Sequence, residues 1–227
     1  MPTEMNHSRN IPQIQPWIDQ QEWLEVKRVM ESTYLTESRA TNEFENGIKE
    51  LTNAKHAIAV SNGTVALYCI LKAIDIGPGD EVIVPDITFV ATSNAVIMAG
   101  AKPIFATIQK ETLDFDYSQL GSFVTNKTKV IMPVHLYGRS ANIEELNIFA
   151  KKHSLIIVED AAQAIGVKFD NQHVGAFGVA GAFSFYGNKT ITCGEGGVIT
   201  TNNDKIAEKC RRLKNHGRAQ RGTFVHD

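Results

Sequence analysis

Apolar residues recur along the chain in short blocks, and the stretches between those blocks carry apolar positions at helical spacing. AIAV at 57–60, EVIVP at 81–85, PIFAT at 103–107, KVIMPV at 129–134 and LIIVED at 155–160 have the length and β-branched content of buried strands. Residues 64–74, 89–98 and 143–153 repeat their apolar positions every three or four residues, which predicts helices, the last opened by Asn142 as a cap. Two more strands are predicted near 181–185 and 197–201, followed by a basic helix over 204–214. Strands alternating with helices of about ten residues make an α/β protein, its mainly parallel sheet covered by helices on both faces.

Ahead of this rhythm, residues 1–16 are polar, carry Pro2, Pro12 and Pro16, and read as an irregular arm. Trp23, Leu24, Val26, Val29 and Met30 then predict one helix, and the stretch from Asn42 to Leu51 a second. The expected organisation is an arm and helix over 1–41 and one α/β domain over 42–227, with no internal repeat or linker.

Composition narrows the function. Lys and Arg number 23 against 25 Asp and Glu, a formal net charge of −2, so no electrostatic footprint for nucleic acid or an acidic membrane is expected. Cys69, Cys193 and Cys210 form no C-x-x-C pair, which argues against a disulfide framework and a zinc cluster and fits a reducing cytoplasm. No apolar run reaches the roughly 18 residues of a membrane span, and the first twenty residues lack the order of a signal peptide.

In open α/β sheets ligands sit at the carboxyl ends of the strands, and four such ends stand out. After AIAV, Ser61-Asn62-Gly63-Thr64 leads into a helix whose free N–H groups suit a phosphate. After EVIVP comes Phe89, an aromatic ring at the mouth of the sheet; after LIIVE come Asp160 and, three residues later, Gln163. Each has a plainer reading: Ser61 or Thr64 as a helix cap, Phe89 as a core residue, Asp160 as a cap. The fourth segment runs from Gly181 through Ser184 and Lys189 to Gly197, and sets a lysine among small and polar residues between two strands.

This segment fails the G-x-x-x-x-G-K-[ST] phosphate loop, and the chain holds no G-x-G-x-x-G, H-E-x-x-H or G-x-S-x-G. A phosphate seat, an aromatic face, a buried carboxylate and a partly enclosed lysine are together what pyridoxal 5′-phosphate (PLP) requires. Its aldehyde condenses with a lysine amine, its ring nitrogen needs an acid to stay protonated, and its phosphate takes backbone and hydroxyl donors.

SNGTVAL at 61–67, GPGDEVIVPDITFVATSNAV at 77–96, GAKPIF at 100–105, VEDAAQAIG at 158–166 and FSFYGNKTITCGEGG at 183–197 resemble the sugar-nucleotide aminotransferases of the DegT/DnrJ/StrS family. The resemblance runs over roughly residues 20–217, and the lysine segment is most similar to the perosamine-synthase branch. It implies the fold type I architecture of PLP enzymes. It also implies Lys189 as the lysine that bonds the cofactor and shuttles a proton, Asp160 as partner of the ring nitrogen, and Gln163 as the group beside the phenolic oxygen. Gly63, Thr64 and Ser184 then match phosphate contacts, and Phe89 the aromatic over the ring.

The implied reaction converts a nucleotide-linked 4-keto-6-deoxyhexose into its 4-amino sugar, with glutamate as donor, in a cytoplasmic homodimer. Two other readings are a PLP-dependent sugar dehydratase, disfavoured because that branch carries His where Lys189 stands, and a catalytically impaired paralogue. Family members continue with a segment that gives an asparagine to the partner's cofactor phosphate and with a small carboxy-terminal domain. Neither follows here, so a truncated or weakly active chain is expected. Many members also carry glycine within the stretch corresponding to 33–38, so no sugar contact is assigned there.

Overall fold

The computed structural model describes residues 14–218. Its seven main strands are β1 (His56–Val60), β2 (Glu81–Pro85), β3 (Lys102–Ala106), β4 (Thr128–Ile131), β5 (Ile156–Asp160) and, after a two-residue hairpin of β6 (Lys168–Phe169) and β7 (Gln172–His173), β8 (Ala180–Ser184) and β9 (Gly197–Thr201). They form one sheet in the order β1-β9-β8-β5-β4-β2-β3. β9 runs antiparallel to both neighbours and every other pairing is parallel, so β1, β2, β5 and β8 all end on one edge, where β9 begins.

The helices are α1 (Gln20–Glu31), α2 (Arg39–Thr52), α3 (Gly63–Ala73), α4 (Ala91–Met98), α5 (Ile143–His153) and α6 (Asp204–Lys214). Successive strand residues point to opposite faces, and this alternation decides which helix each one meets. Val82, Val84, Val130, Val158 and Ile199 pack with Leu67, Ile70, Val96 and Ile206 of α3, α4 and α6. Their neighbours Ile83, Ile131 and Ile157 face the other way, onto Leu146 and Phe149 of α5. Ile48 of α2 covers Ala57, Phe183 and Val198 on that same side. Full burial of each large apolar side chain stabilises the fold by about 1.5–3 kcal/mol.

The same parity orders the end of β5. Asp160 points with Val158 towards the α3/α4 side, whereas Glu159 points with Ile157 to the opposite side.

The helix and strand bounds follow the periodicity closely, and the departures have local causes. β4 stops at Ile131 because Pro133 has no N–H to donate. Beyond it Met132 N–H still reaches Ile83 O at 2.9 Å, and the chain re-pairs with β5 through a bridge between Val134 and Asp160, in which Pro133 O accepts from Asp160 N at 2.9 Å and Asp160 O from His135 N at 3.0 Å. α2 begins a turn earlier than Asn42, at Arg39, and α4 begins at Ala91 rather than Phe89. The β6–β7 hairpin is turned by Asp170 and Asn171, both at positive φ, a pair that favours such a tight turn. The arm proper lies mostly outside the described residues. α1 buries no residue: Trp23, Leu24, Val26 and Met30 are all exposed. Among the described residues no helix is long and apolar enough to cross a membrane.

Candidate active site

The turn after β1 places the start of α3 against the end of β8. Asn62 caps the helix, its Oδ1 accepting from Val65 N at 2.9 Å, so neither Ser61 nor Thr64 is the cap. With Asn62 in that role, the N–H groups of Gly63 and Thr64 have no hydrogen-bond partner among the described residues. A Cβ on Gly63 would lie 3.0 Å from Ser184 Cβ, and one on Gly197 would lie 2.4 Å from the Asn62 carbonyl. Glycine at both positions lets helix start, Ser184 and the start of β9 come together. Two free N–H groups and a hydroxyl at the positive end of a helix make a seat for a phosphate.

Asp160 ends β5 and is almost wholly buried. Its Oδ2 accepts from the Thr92 hydroxyl at 2.7 Å and its Oδ1 from Ala162 N–H at 3.1 Å. Burial raises its proton affinity above that of an ordinary carboxyl, while the Thr92 hydroxyl, the Ala162 N–H and the nearby Lys189 and His135 act in the other direction. The residues after Asp160 form turns and no helix, so Asp160 is not a helix cap.

Lys189 lies on the loop between β8 and β9, half-buried, its N–H donating to Tyr186 O at 2.9 Å. The loop is closed by Phe185 N–H on Gly196 O at 2.8 Å and Cys193 N–H on Phe185 O at 3.0 Å. Burial lowers the Lys189 proton affinity, and attraction to Asp160 opposes that effect. Lys189, Asn188, Ser184, Gln163 and Tyr137 line one cavity of about 320 Å³, within the range that encloses a small ligand.

Gln163 enters this cavity with a defined polarity. Its Oε1 accepts from Tyr137 N–H at 2.9 Å, which leaves the amide NH₂ as the end free to donate. Tyr137 takes the left-handed conformation at φ 53° and is followed by Gly138 at φ 74° on the cavity wall. Phe89 stands outside the cavity lining, 67% exposed beyond β2, so it is no core residue. Thr64 and Asp160 also do not line the cavity, although Asp160 lies close enough to Lys189 for mutual attraction.

Three residues that pattern reading missed complete the frame. Thr88 and Thr92, four apart, join their hydroxyls at 2.8 Å beside Asp160. The buried Glu159 binds Gly175, Phe177 and Gly178 N–H groups at 2.6–2.7 Å, holding the segment before β8. The threonine spacing was visible in the sequence; its target, 68 residues away, was not. Among the described residues no cluster of His, Cys, Asp or Glu is placed to hold a metal ion.

The sequence pattern of the DegT/DnrJ/EryC1/StrS aminotransferase family matches residues 16–227. The chain belongs to this family. Among family relatives, the GDP-perosamine synthase of Escherichia coli O157:H7 is 41% identical over 218 residues, covering 96% of this chain and 60% of that protein. Among solved structures, the aminotransferase from Psychrobacter cryohalolentis superposes with a TM-score of 0.87 at 37% identity, over 94% of this chain and 55% of that one. A Streptococcus pneumoniae protein described as a sugar aminotransferase, solved in its PLP form, gives 0.87 at 31% identity over 96% of this chain and 60% of its own. This member of the family thus spans about 60% or less of the length of these relatives.

Proposed function

We propose that this chain forms the cofactor-binding part of a PLP-dependent aminotransferase that converts a nucleotide-linked 4-keto-6-deoxyhexose into the 4-amino sugar, using glutamate as donor. The observation that carries the reading is the convergence of Lys189, Gln163 and Ser184 on one cavity, with buried Asp160 in electrostatic reach of Lys189. Family membership and the likeness to a GDP-perosamine synthase support the sugar-nucleotide substrate. The donor, a homodimeric assembly and a cytoplasmic location belong to the same proposal.

The residues present fit PLP. The start of α3, with Gly63 and Thr64, and the Ser184 hydroxyl match its phosphate, the Gln163 NH₂ matches its phenolic oxygen, and Asp160 matches its ring nitrogen. Phe89, exposed beyond β2 and outside the cavity lining, is proposed as the ring that would cover the cofactor's aromatic face. When bound, the cofactor supplies an aldehyde and an electron-accepting ring.

The chain's own groups then have distinct tasks. Lys189 offers an amine whose neutral form is favoured by burial, and a neutral amine is both the nucleophile and a base at Nζ. Asp160, ionised, holds a proton at the ring nitrogen by a charge-assisted hydrogen bond. The positive end of α3 attracts the phosphate, and the fixed Gln163 amide orients the ring.

Two measurements test the proposal. Borohydride treatment of PLP-loaded protein followed by peptide mapping should leave a pyridoxyl group on Lys189; label on Lys168 or Lys205 instead overturns the site. Mass spectrometry after incubation with a panel of nucleotide-linked keto sugars and glutamate should reveal a 4-amino sugar, and a dehydrated product in its place would overturn the reaction.

A further inference from the structure

Asp160 has to meet two conflicting demands: near-complete burial, which favours the neutral acid, and a charge, which the proposed role requires. Its surroundings show what reconciles them. Lys189 approaches from the β8–β9 loop. His135, beyond β4, turns its Nε2 to Glu159 at 3.0 Å and accepts Ala141 N–H at Nδ1, so no His135 hydrogen bond reaches the Asp160 carboxylate. Glu159 points to the other face of the sheet. The direct donors are Ala162 N–H and the Thr92 hydroxyl.

The Thr92 contact is directional. An ionised carboxylate only accepts, so the Thr92 O–H must donate to Oδ2, and its oxygen is then free to accept from Thr88 O–H. Helical hydroxyls usually bond back to a carbonyl of the preceding turn. Thr52 does so at Ile48 O, and Ser93, next in sequence to Thr92, does so at Val90 O. Thr92 departs from that habit, although it is wholly buried, a place where valine would fill the same volume.

We infer that Thr92, oriented by Thr88, is the positioning residue that keeps Asp160 ionised and fixed in aim. The inference rests on the proposed role of Asp160 at the ring nitrogen. Thr92 reaches Asp160 from α4 and Thr88 aligns it from the β2–α4 turn, so the carboxylate is set by a segment that also carries Phe89.

The test uses apoprotein labelled with ¹³C at aspartate carboxyls, the Asp160 signal being assigned by its loss in Asp160→Asn. Thr92→Val should raise the proton affinity of Asp160 about tenfold or more, the equivalent of losing one hydrogen bond to a charge. Thr92→Ser should restore the wild-type titration, and Thr88→Val, at a half-buried site that tolerates it, should give a smaller shift in the same direction. An Asp160 titration unmoved by Thr92→Val overturns the inference. If that variant does not fold, an Asp160 titration unmoved by Thr88→Val overturns it equally. Failure of the underlying reading looks different: Asp160→Asn would then bind PLP as tightly as wild type, with an unchanged absorbance spectrum, while the threonine-dependent titration persisted.

Discussion

His135 and Glu159 meet at 3.0 Å with both side chains fully buried, Glu159 being next to Asp160 in sequence but on the opposite face of the sheet from its carboxylate. Ala141 N–H points at His135 Nδ1 at 3.1 Å, so the ring proton sits on Nε2 and donates to Glu159. Glu159 thereby joins the 135–141 loop, which bears Tyr137, to the segment that feeds β8. Glu159→Ala would orphan three N–H groups and an imidazole at once. The expected loss is about 3 kcal/mol or more in urea unfolding, since each buried donor left unsatisfied costs about 1–3 kcal/mol; a loss below about 1 kcal/mol would show that these contacts are not jointly stabilising.

Burial and Asp160 pull in opposite directions on the Lys189 proton. Burial favours the neutral amine and Asp160 favours the charged one. Lys189 should therefore be reductively methylated at lower pH than exposed lysines such as Lys205. In Asp160→Asn the attraction is gone, and the pH at which Lys189 becomes reactive should fall further. Peptide-resolved labelling rates across pH check both statements; an upward movement in the variant would mean that the two groups do not interact as described.

Asp160 also makes the apoprotein's stability depend on pH in an unusual sense. Because its folded proton affinity is raised, the fold gains from the protonated form, a contribution fully present below the ordinary carboxyl value and lost as pH rises through the folded value. Asp160→Asn removes that loss. The variant apoprotein should match wild type in acid and be the more stable of the two at neutral pH, as read by thermal unfolding at several pH values. A variant less stable than wild type at neutral pH would mean that the Thr92 and Ala162 contacts outweigh the burial penalty.

Gly63 and Gly197 provide a contrast between site and scaffold. A methyl at Gly63 meets a side chain, Ser184, at 3.0 Å, and a small shift of the α3 start relieves it. Gly63→Ala should fold with nearly unchanged stability but bind PLP about tenfold more weakly, measured by fluorescence titration, because one hydrogen bond to a charged phosphate is weakened. A methyl at Gly197 meets Asn62 backbone at 2.4 Å inside a strand ladder and has nowhere to go. Gly197→Ala should lose about 1–3 kcal/mol or more of stability. Equal effects of the two substitutions on stability would refute the distinction.

What the sequence determined by itself is local. β2 at 81–85, α5 at 143–153 with its Asn142 cap, β9 at 197–201 and α6 at 204–214 stand where periodicity placed them, because strand alternation, helical spacing and capping are set by residues within a turn or two of one another. The candidate site was legible as four strand ends for a related reason: a parallel α/β sheet presents those ends on one edge, whatever its strand order. Tertiary structure alone decided the order of the strands and the reversed direction of β9, since several arrangements bury the same apolar runs. It chose Asn62 over Ser61 and Thr64 as cap, put Phe89 in solvent where its setting alone reads as core, and fixed the polarity of Gln163 through Tyr137. It also brought Thr92 to Asp160. Contacts of that kind depend on how the crossover helices dock on the sheet, a free energy summed over the whole core and written in no single segment of the chain.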